Sequence, residues 1–92
     1  MKRDSFQDII ASASRIRQIR LDSGLSQERF SEMLGISVSA YKKIEYGQNQ
    51  VSLHILRKLW YVFHVSADYL LFGVNEWDVL GGVLWRELQK RD

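Results

Sequence analysis

Side chains able to do chemistry are few in this 92-residue chain, and their spacing suits binding better than catalysis. Cysteine is absent, which excludes disulfides, thiolate nucleophiles and cysteine-ligated zinc or iron–sulfur centres. The two histidines, His54 and His64, cannot complete a four-ligand metal site alone, and each reads as an ordinary helix residue. Gly35-Ile36-Ser37-Val38-Ser39 starts like the turn that presents a hydrolase serine, but the second glycine and the preceding strand are missing. Gly35 reads better as a turn residue and Ser37 as a helix cap. No glycine-rich loop for phosphates is present. The acids fall mostly at helix starts and on solvated faces. Neither enzymatic activity nor a cofactor or metal is expected.

The elements that position the remaining polar groups follow from composition and periodicity. Hydrophobic residues make up 46% of the chain and charged residues 26%, the balance of one folded domain. The longest apolar run, Leu59 to Phe63, is far short of the ~20 residues of a membrane span. Lys2 and Arg3 are followed by Asp4-Ser5-Phe6-Gln7-Asp8 rather than by an apolar stretch, unlike a secretory signal. A soluble, cytoplasmic protein is expected. The net charge of +2 permits a polyanionic partner without requiring one.

Helical spacing dominates, so the expected fold class is all-α. Ser5-Phe6-Gln7-Asp8 opens like a capping box, and Phe6, Ile9, Ile10, Ala13 and Ile16 recur at helical intervals. A first helix is predicted from about Ser5 to Asp22, with a break allowed near Ala11–Ser14. Ser26 caps a second over Gln27–Leu34, with Phe30, Met33 and Leu34 inward. Ser37 caps a third to about Tyr46, with Tyr41 and Ile44 inward. Ser52 caps a fourth to about Phe63, whose stripe reads Leu53, Leu56, Leu59, Trp60 and Phe63, with Ile55 and Val62 beside it. Ser66 caps a short fifth over Ala67–Phe72. Asn75-Glu76-Trp77-Asp78 opens an amphipathic tail helix carrying Trp77, Leu80, Leu84 and Leu88 on one stripe.

The second and third helices are joined by only Leu34-Gly35-Ile36-Ser37, too short a turn for an antiparallel hairpin, so they must cross steeply as a helix-turn-helix. Ser31 must be small where the second helix of the pair crosses close to it, and Gly35 supplies a positive φ. Phe30, Leu34, Ile36, Tyr41 and Ile44 form the wedge that fixes the crossing angle.

Arg15-Ile16-Arg17, Gly24-Leu25-Ser26-Gln27-Glu28, Leu34-Gly35-Ile36-Ser37, Ile44-Glu45-Tyr46-Gly47 and Val65-Ser66-Ala67-Asp68-Tyr69-Leu70-Leu71-Phe72-Gly73 occur in order across residues 13–73. Together they resemble the lambda repressor/Cro-like (Xre) helix-turn-helix family. The resemblance implies a five-helix DNA-binding domain over residues 1–73, with the motif at 27–46 and the recognition helix at about 37–46, and a C-terminal helix over 74–92 for packing or dimerisation. It implies a transcriptional regulator, most simply a repressor, that inserts its third helix in the major groove as a homodimer on a palindromic operator.

By the same resemblance, Ser37, Val38, Ser39 and Lys43 correspond to positions facing base edges. Gln27, Lys42, Tyr46, Gln48 and Asn49 correspond to positions facing phosphates, and Arg20 and Glu45 to a structural ion pair. Three features depart from the family pattern. Val38 stands where many members carry arginine or glutamine, leaving contact with a thymine methyl in place of bidentate purine reading. Gln48-Asn49-Gln50-Val51 lacks the usual basic residues and proline, and His64 replaces a common glycine. The stripe Trp77, Leu80, Leu84 and Leu88 is apolar enough to need covering, by the domain itself, a second copy or another protein. The alternative to a regulator is an antitoxin-like or adaptor module that binds a protein partner through this helix, with DNA binding secondary.

Overall fold

The structure, a computed structural model, describes residues 5–74, without the side chains of Ser5 and Phe6. Five helices follow one another: α1 (Ser5–Asp22), α2 (Gln27–Leu34), α3 (Val38–Glu45), α4 (Leu53–Phe63) and α5 (Ala67–Phe72). The predicted tail helix, with Trp77, Leu80, Leu84 and Leu88, lies outside the described residues.

The helices α2 to α5 are each capped by a serine. The hydroxyls of Ser26, Ser37, Ser52 and Ser66 accept from the amides of Arg29, Ala40, Ile55 and Tyr69 at 3.1, 3.0, 3.3 and 3.1 Å. Each satisfies an otherwise orphaned helix N–H, an effect of about 1 kcal/mol. Gly35 ends α2 at φ 74°, its amide bonded to Glu32, while the Ile36 amide reaches back to Ser31 at 3.1 Å. The strand-free order among the described residues, with α1 against α3 and α5, and α2 against α3 and α4, is the five-helix architecture expected.

The core is Ile16, Phe30, Leu34, Tyr41, Ile44, Ile55, Leu59 and Leu70. Phe30 is its hinge, with its ring centroid 5.2 Å from Tyr41 edge-on and 4.9 Å from Phe63. These contacts fix the α2–α3 crossing from beneath, and among the described residues the outer side of α3 is left free of cover. Ser31 is buried against the crossing, its hydroxyl donating to the Glu28 carbonyl at 2.8 Å.

Three expectations are corrected. α1 runs unbroken through Ala11–Ser14, because Ser12 and Ala13 are buried there and small enough for neighbouring elements to approach. Met33 is only half-buried and outside the core cluster, since Phe30 and Leu34 already fill the inward face of α2. α3 ends at Glu45 with Tyr46 as its cap, within a residue of the expected end. In α4 the core face is Ile55 and Leu59, flanked by Leu56 and Phe63, whereas Leu53 and Trp60 are 71% and 53% exposed.

Two contacts hold the ends of α4 and α5. His54 Nε2 lies 3.1 Å from the Leu34 carbonyl, a donor on the last carbonyl of α2. Arg15 Nη1 donates to the Leu70 carbonyl at 3.0 Å, and its guanidinium fills the space a Gly73 side chain would need: a Cβ there would lie 2.7 Å from Nη2. α4 ends on His64 at φ 57°, the only described non-glycine residue with positive φ. That conformation costs a side-chain-bearing residue about 1–2 kcal/mol, partly offset on glycine substitution by glycine's greater freedom in the unfolded chain. His64→Gly is therefore expected to stabilise the domain by about 0.5–1 kcal/mol. Urea denaturation checks it: the midpoint should rise at unchanged slope, and a fall would mean that the His64 ring against Trp60 outweighs the backbone term.

Candidate nucleic-acid interface

The outer edge of α3 carries the polar groups singled out from the sequence. Ser37, Ser39 and Lys43 are exposed, and Val38 and Lys42 are half-buried. All five belong to one short helix and its cap, raised by the buried wedge of Phe30, Leu34, Tyr41 and Ile44. Ser37 performs two jobs, since its hydroxyl caps α3 while its residue remains exposed at the helix start. Tyr46 is 58% exposed just past the helix end. Gln48 and Asn49 are also exposed, but their backbone amides both donate to the Lys43 carbonyl, at 2.8 and 3.1 Å. Their amides are therefore engaged within the chain, and their exposed side chains are the donors left to meet a ligand.

Behind this edge lies the Glu45 carboxylate, whose side chain is 1% exposed. Arg20 approaches it as a fork, Nε to Oε2 at 2.9 Å and Nη2 to Oε1 at 3.0 Å, while Nη1 donates to the Leu25 carbonyl at 2.9 Å. The Tyr41 hydroxyl donates to Oε2 and Gln27 Nε2 to Oε1 at 3.1 Å. Arg17 adds a longer approach of 3.8 Å. Burial pushes the Glu45 carboxyl up, the largest single effect, but the donors Arg20, Tyr41 and Gln27 together outweigh it and hold it below the usual carboxylate range. Burial is also the main reason the Tyr41 hydroxyl is pushed far above the usual phenol range, with its bond to Glu45 second. Both effects keep the carboxylate ionised and the phenol protonated near neutral pH.

The structure thus brings together Arg20 and Glu45 as expected, and joins to them three residues whose role here the sequence reading missed. Tyr41 reads as core from its spacing, yet Glu45 is four residues on, where helix side chains meet. Arg17 is on the same face of α1 as Arg20, one turn earlier. Gln27, expected to face phosphate, turns its amide nitrogen to Glu45 and to the Tyr46 hydroxyl in the unbound chain, the latter at 3.2 Å.

Elsewhere, a cavity of about 220 Å³ opens between α1, α5 and the α3–α4 loop, lined by residues including Ile9, Ala13, Val51 and Phe72. It is smaller than the ~300–1,000 Å³ usual for small-molecule sites. Among the described residues, no group of three or more His, Asp or Glu side chains converges as metal ligands would. None of the described helices is long and apolar enough to cross a membrane.

Residues 16–70 match the helix-turn-helix family HTH_3. Over 61 residues, 66% of its length, the chain is 38% identical to the SPbeta prophage-derived uncharacterized HTH-type transcriptional regulator YonR of Bacillus subtilis (strain 168). That match spans 56% of YonR, little more than half of the relative's own length. Over 56 residues, 61% of its length, it is 43% identical to the uncharacterized HTH-type transcriptional regulator YazB of the same organism, covering 81% of that protein. No solved structure gives a significant match.

Proposed function

Because the chain belongs to the lambda repressor-like (Xre) helix-turn-helix family, we propose that it is a sequence-specific DNA-binding transcriptional regulator, acting as a repressor. The observation that carries the reading is the outer edge of α3, uncovered among the described residues and propped on a core that leaves Ser37, Ser39 and Lys43 exposed. In this reading α3 enters the major groove, Ser37, Val38, Ser39 and Lys43 meet base edges, and Lys42, Tyr46, Gln48, Asn49 and the start of α2 at Gln27 run along the phosphates. Val38 offers a methyl surface suited to thymine, a less exacting contact than the ~1–3 kcal/mol of a bidentate purine pair.

Charge counting favours a pair of domains on the operator. Lys42 and Lys43 are the cations of the α3 edge, and each phosphate neutralised contributes a salt slope of only about 0.9. Two copies about 34 Å apart along the duplex would double those contacts and read a palindrome. Trp77, Leu80, Leu84 and Leu88 are proposed as the partner-facing stripe.

Selection of bound duplexes from a random library tests the proposal. A palindromic consensus with half-sites one helical turn apart is the expected result, and the absence of any enriched sequence would overturn it. A second reading, a protein-binding adaptor, draws on the exposed Leu53, Trp60 and Tyr61 of α4. It predicts recovery of a stoichiometric protein partner that Trp60→Ala abolishes and Lys43→Ala leaves unchanged.

A further inference from the structure

Among the described residues, nothing covers the apolar outer face of α4. Leu53, Leu56, Trp60 and Tyr61 of α4 and Ala67 at the start of α5 line a single open groove of about 370 Å³. No described residue of α3 or of the α3–α4 loop lines it, so filling it leaves the α3 edge clear. Leu53, Trp60 and Tyr61 are each more than half exposed, and large apolar side chains gathered on one surface mark an interaction site. Their chemistry points to protein. Trp, Tyr and Arg most often carry the energy of protein–protein contacts, and Trp60, Tyr61 and Arg57 line this one groove.

We propose that this groove seats the tail of a second copy of the chain, taking the stripe Trp77, Leu80, Leu84 and Leu88, and that the two copies exchange tails reciprocally. Stripe and seat match in length. As a helix, Trp77 to Leu88 spans about 17 Å, and Leu53 to Tyr61 spans about 12 Å along α4, with the start of α5 adding to it. They match in charge as well. Arg57 is the one charged lining residue among those described, and the tail opens on Glu76 and Asp78. Such a pairing sets register more than affinity, so the rings and leucines carry the contact. Where the described chain ends decides for a second copy. Only four residues separate Phe72, the last of α5, from Trp77, whereas the groove meets α5 at its first turn. A tail seated on its own domain has to double back along α5 within those four residues, and connections that short favour exchange between copies. Exchange also closes, because each copy carries one stripe and one groove and a two-fold pair fills both. The inference rests on the proposed regulator only for the need for two copies and for the partner-facing stripe.

Sedimentation equilibrium on the full chain without DNA tests it, together with the groove variant Trp60→Asp and the tail variant Leu84→Asp. The full chain is expected to have the mass of two copies. Each variant should pair at least about 100-fold more weakly, since both of its seats are spoiled. An equimolar mixture of the two variants should form pairs again, about tenfold or more tighter than either variant with itself. One seat in such a mixed pair joins an unaltered tail to an unaltered groove. Variants that had failed to fold could not recover on mixing, and should Trp60→Asp not fold, Tyr61→Asp spoils the same groove. Loss of pairing in only one of the variants would mean tail on tail or α4 on α4 and would overturn the exchange, as would loss in neither. A single-copy mass for the full chain would overturn it too, the groove then being covered in cis or by another protein, and so would a mixture that does not recover. With no DNA present, each of these failures leaves the duplex selection free to succeed, and a failed selection leaves the pairing measurable.

Discussion

Replacing Glu45 by alanine should lower folding stability by about 3–5 kcal/mol, the usual consequence of removing one partner from a buried ion pair. The loss falls on what remains. The Arg20 side chain, 12% exposed, keeps its charge and one bond to the Leu25 carbonyl but loses both forked contacts. Tyr41 keeps a hydroxyl inside the core with its acceptor gone. For a domain of this size such a loss should lower the melting temperature by roughly 15 °C or more. Differential scanning calorimetry checks it, and a loss under about 1 kcal/mol, the range of exposed pairs, would contradict the burial of the cluster.

The same carboxylate sets the direction of the acid response. A group whose folded pKa is held down contributes stability that is fully present above its unfolded value and is lost as pH falls through the folded one. Glu45 is such a group, so stability should be flat near neutrality and decline as the medium passes below the ordinary carboxylate value of 4.5. In Glu45→Gln, thermal melts taken from neutral to acid should show a lower plateau and a shallower acid decline.

Lys43→Glu should weaken binding to the selected duplex at least 100-fold while leaving the fold in place. The side chain is exposed on the face proposed to meet DNA, and opposing like charges across an interface costs several kcal/mol. An acid in the last turn of α3 disfavours the helix by only about 0.3–1 kcal/mol, so melting should shift little. Arg57→Glu makes the same charge change on an exposed position of α4 and serves as the comparison. Equal losses for the two variants would point to bulk charge, and no loss for Lys43→Glu would remove α3 from the interface.

Much of the backbone was legible because its punctuation is chemical. Serine hydroxyls start α2 to α5, glycines close α2 and α5, and the bounds of both members of the crossing pair follow from Ser26, Gly35 and Ser37 within a residue. The face of α4 was misread for a physical reason. Of residues 53–63 only His54, Arg57 and Lys58 are polar, so an apolar stripe can be drawn almost anywhere. The three polar residues share one side, and the side opposite them, Ile55, Leu56, Leu59 and Phe63, is the one that packs. Reading the polar face would have placed Leu53 and Trp60 on the flank.

The candidate site was legible in part. Its outer residues stand on a helix whose inward face was plain, so exposure at Ser39 and Lys43 follows from burial at Tyr41 and Ile44. The forked pairing of Arg20 with Glu45 came from likeness to a family, since 25 residues separate them and spacing alone carries no such information. The inward turn of Gln27 depends on the exposed tyrosine at 46 and could be seen only with both helices in place. Arg15 and Leu70 are 55 residues apart, and nothing local marks their bond.

That last bond makes α1 a bridge between two other elements. Arg15 fastens the far end of α5, just before the chain continues past Val74, and five residues further along the same rod Arg20 fastens the end of α3. One continuous helix thereby ties the last described element to α3, the element proposed to enter a groove, independently of the connection between α3 and α4.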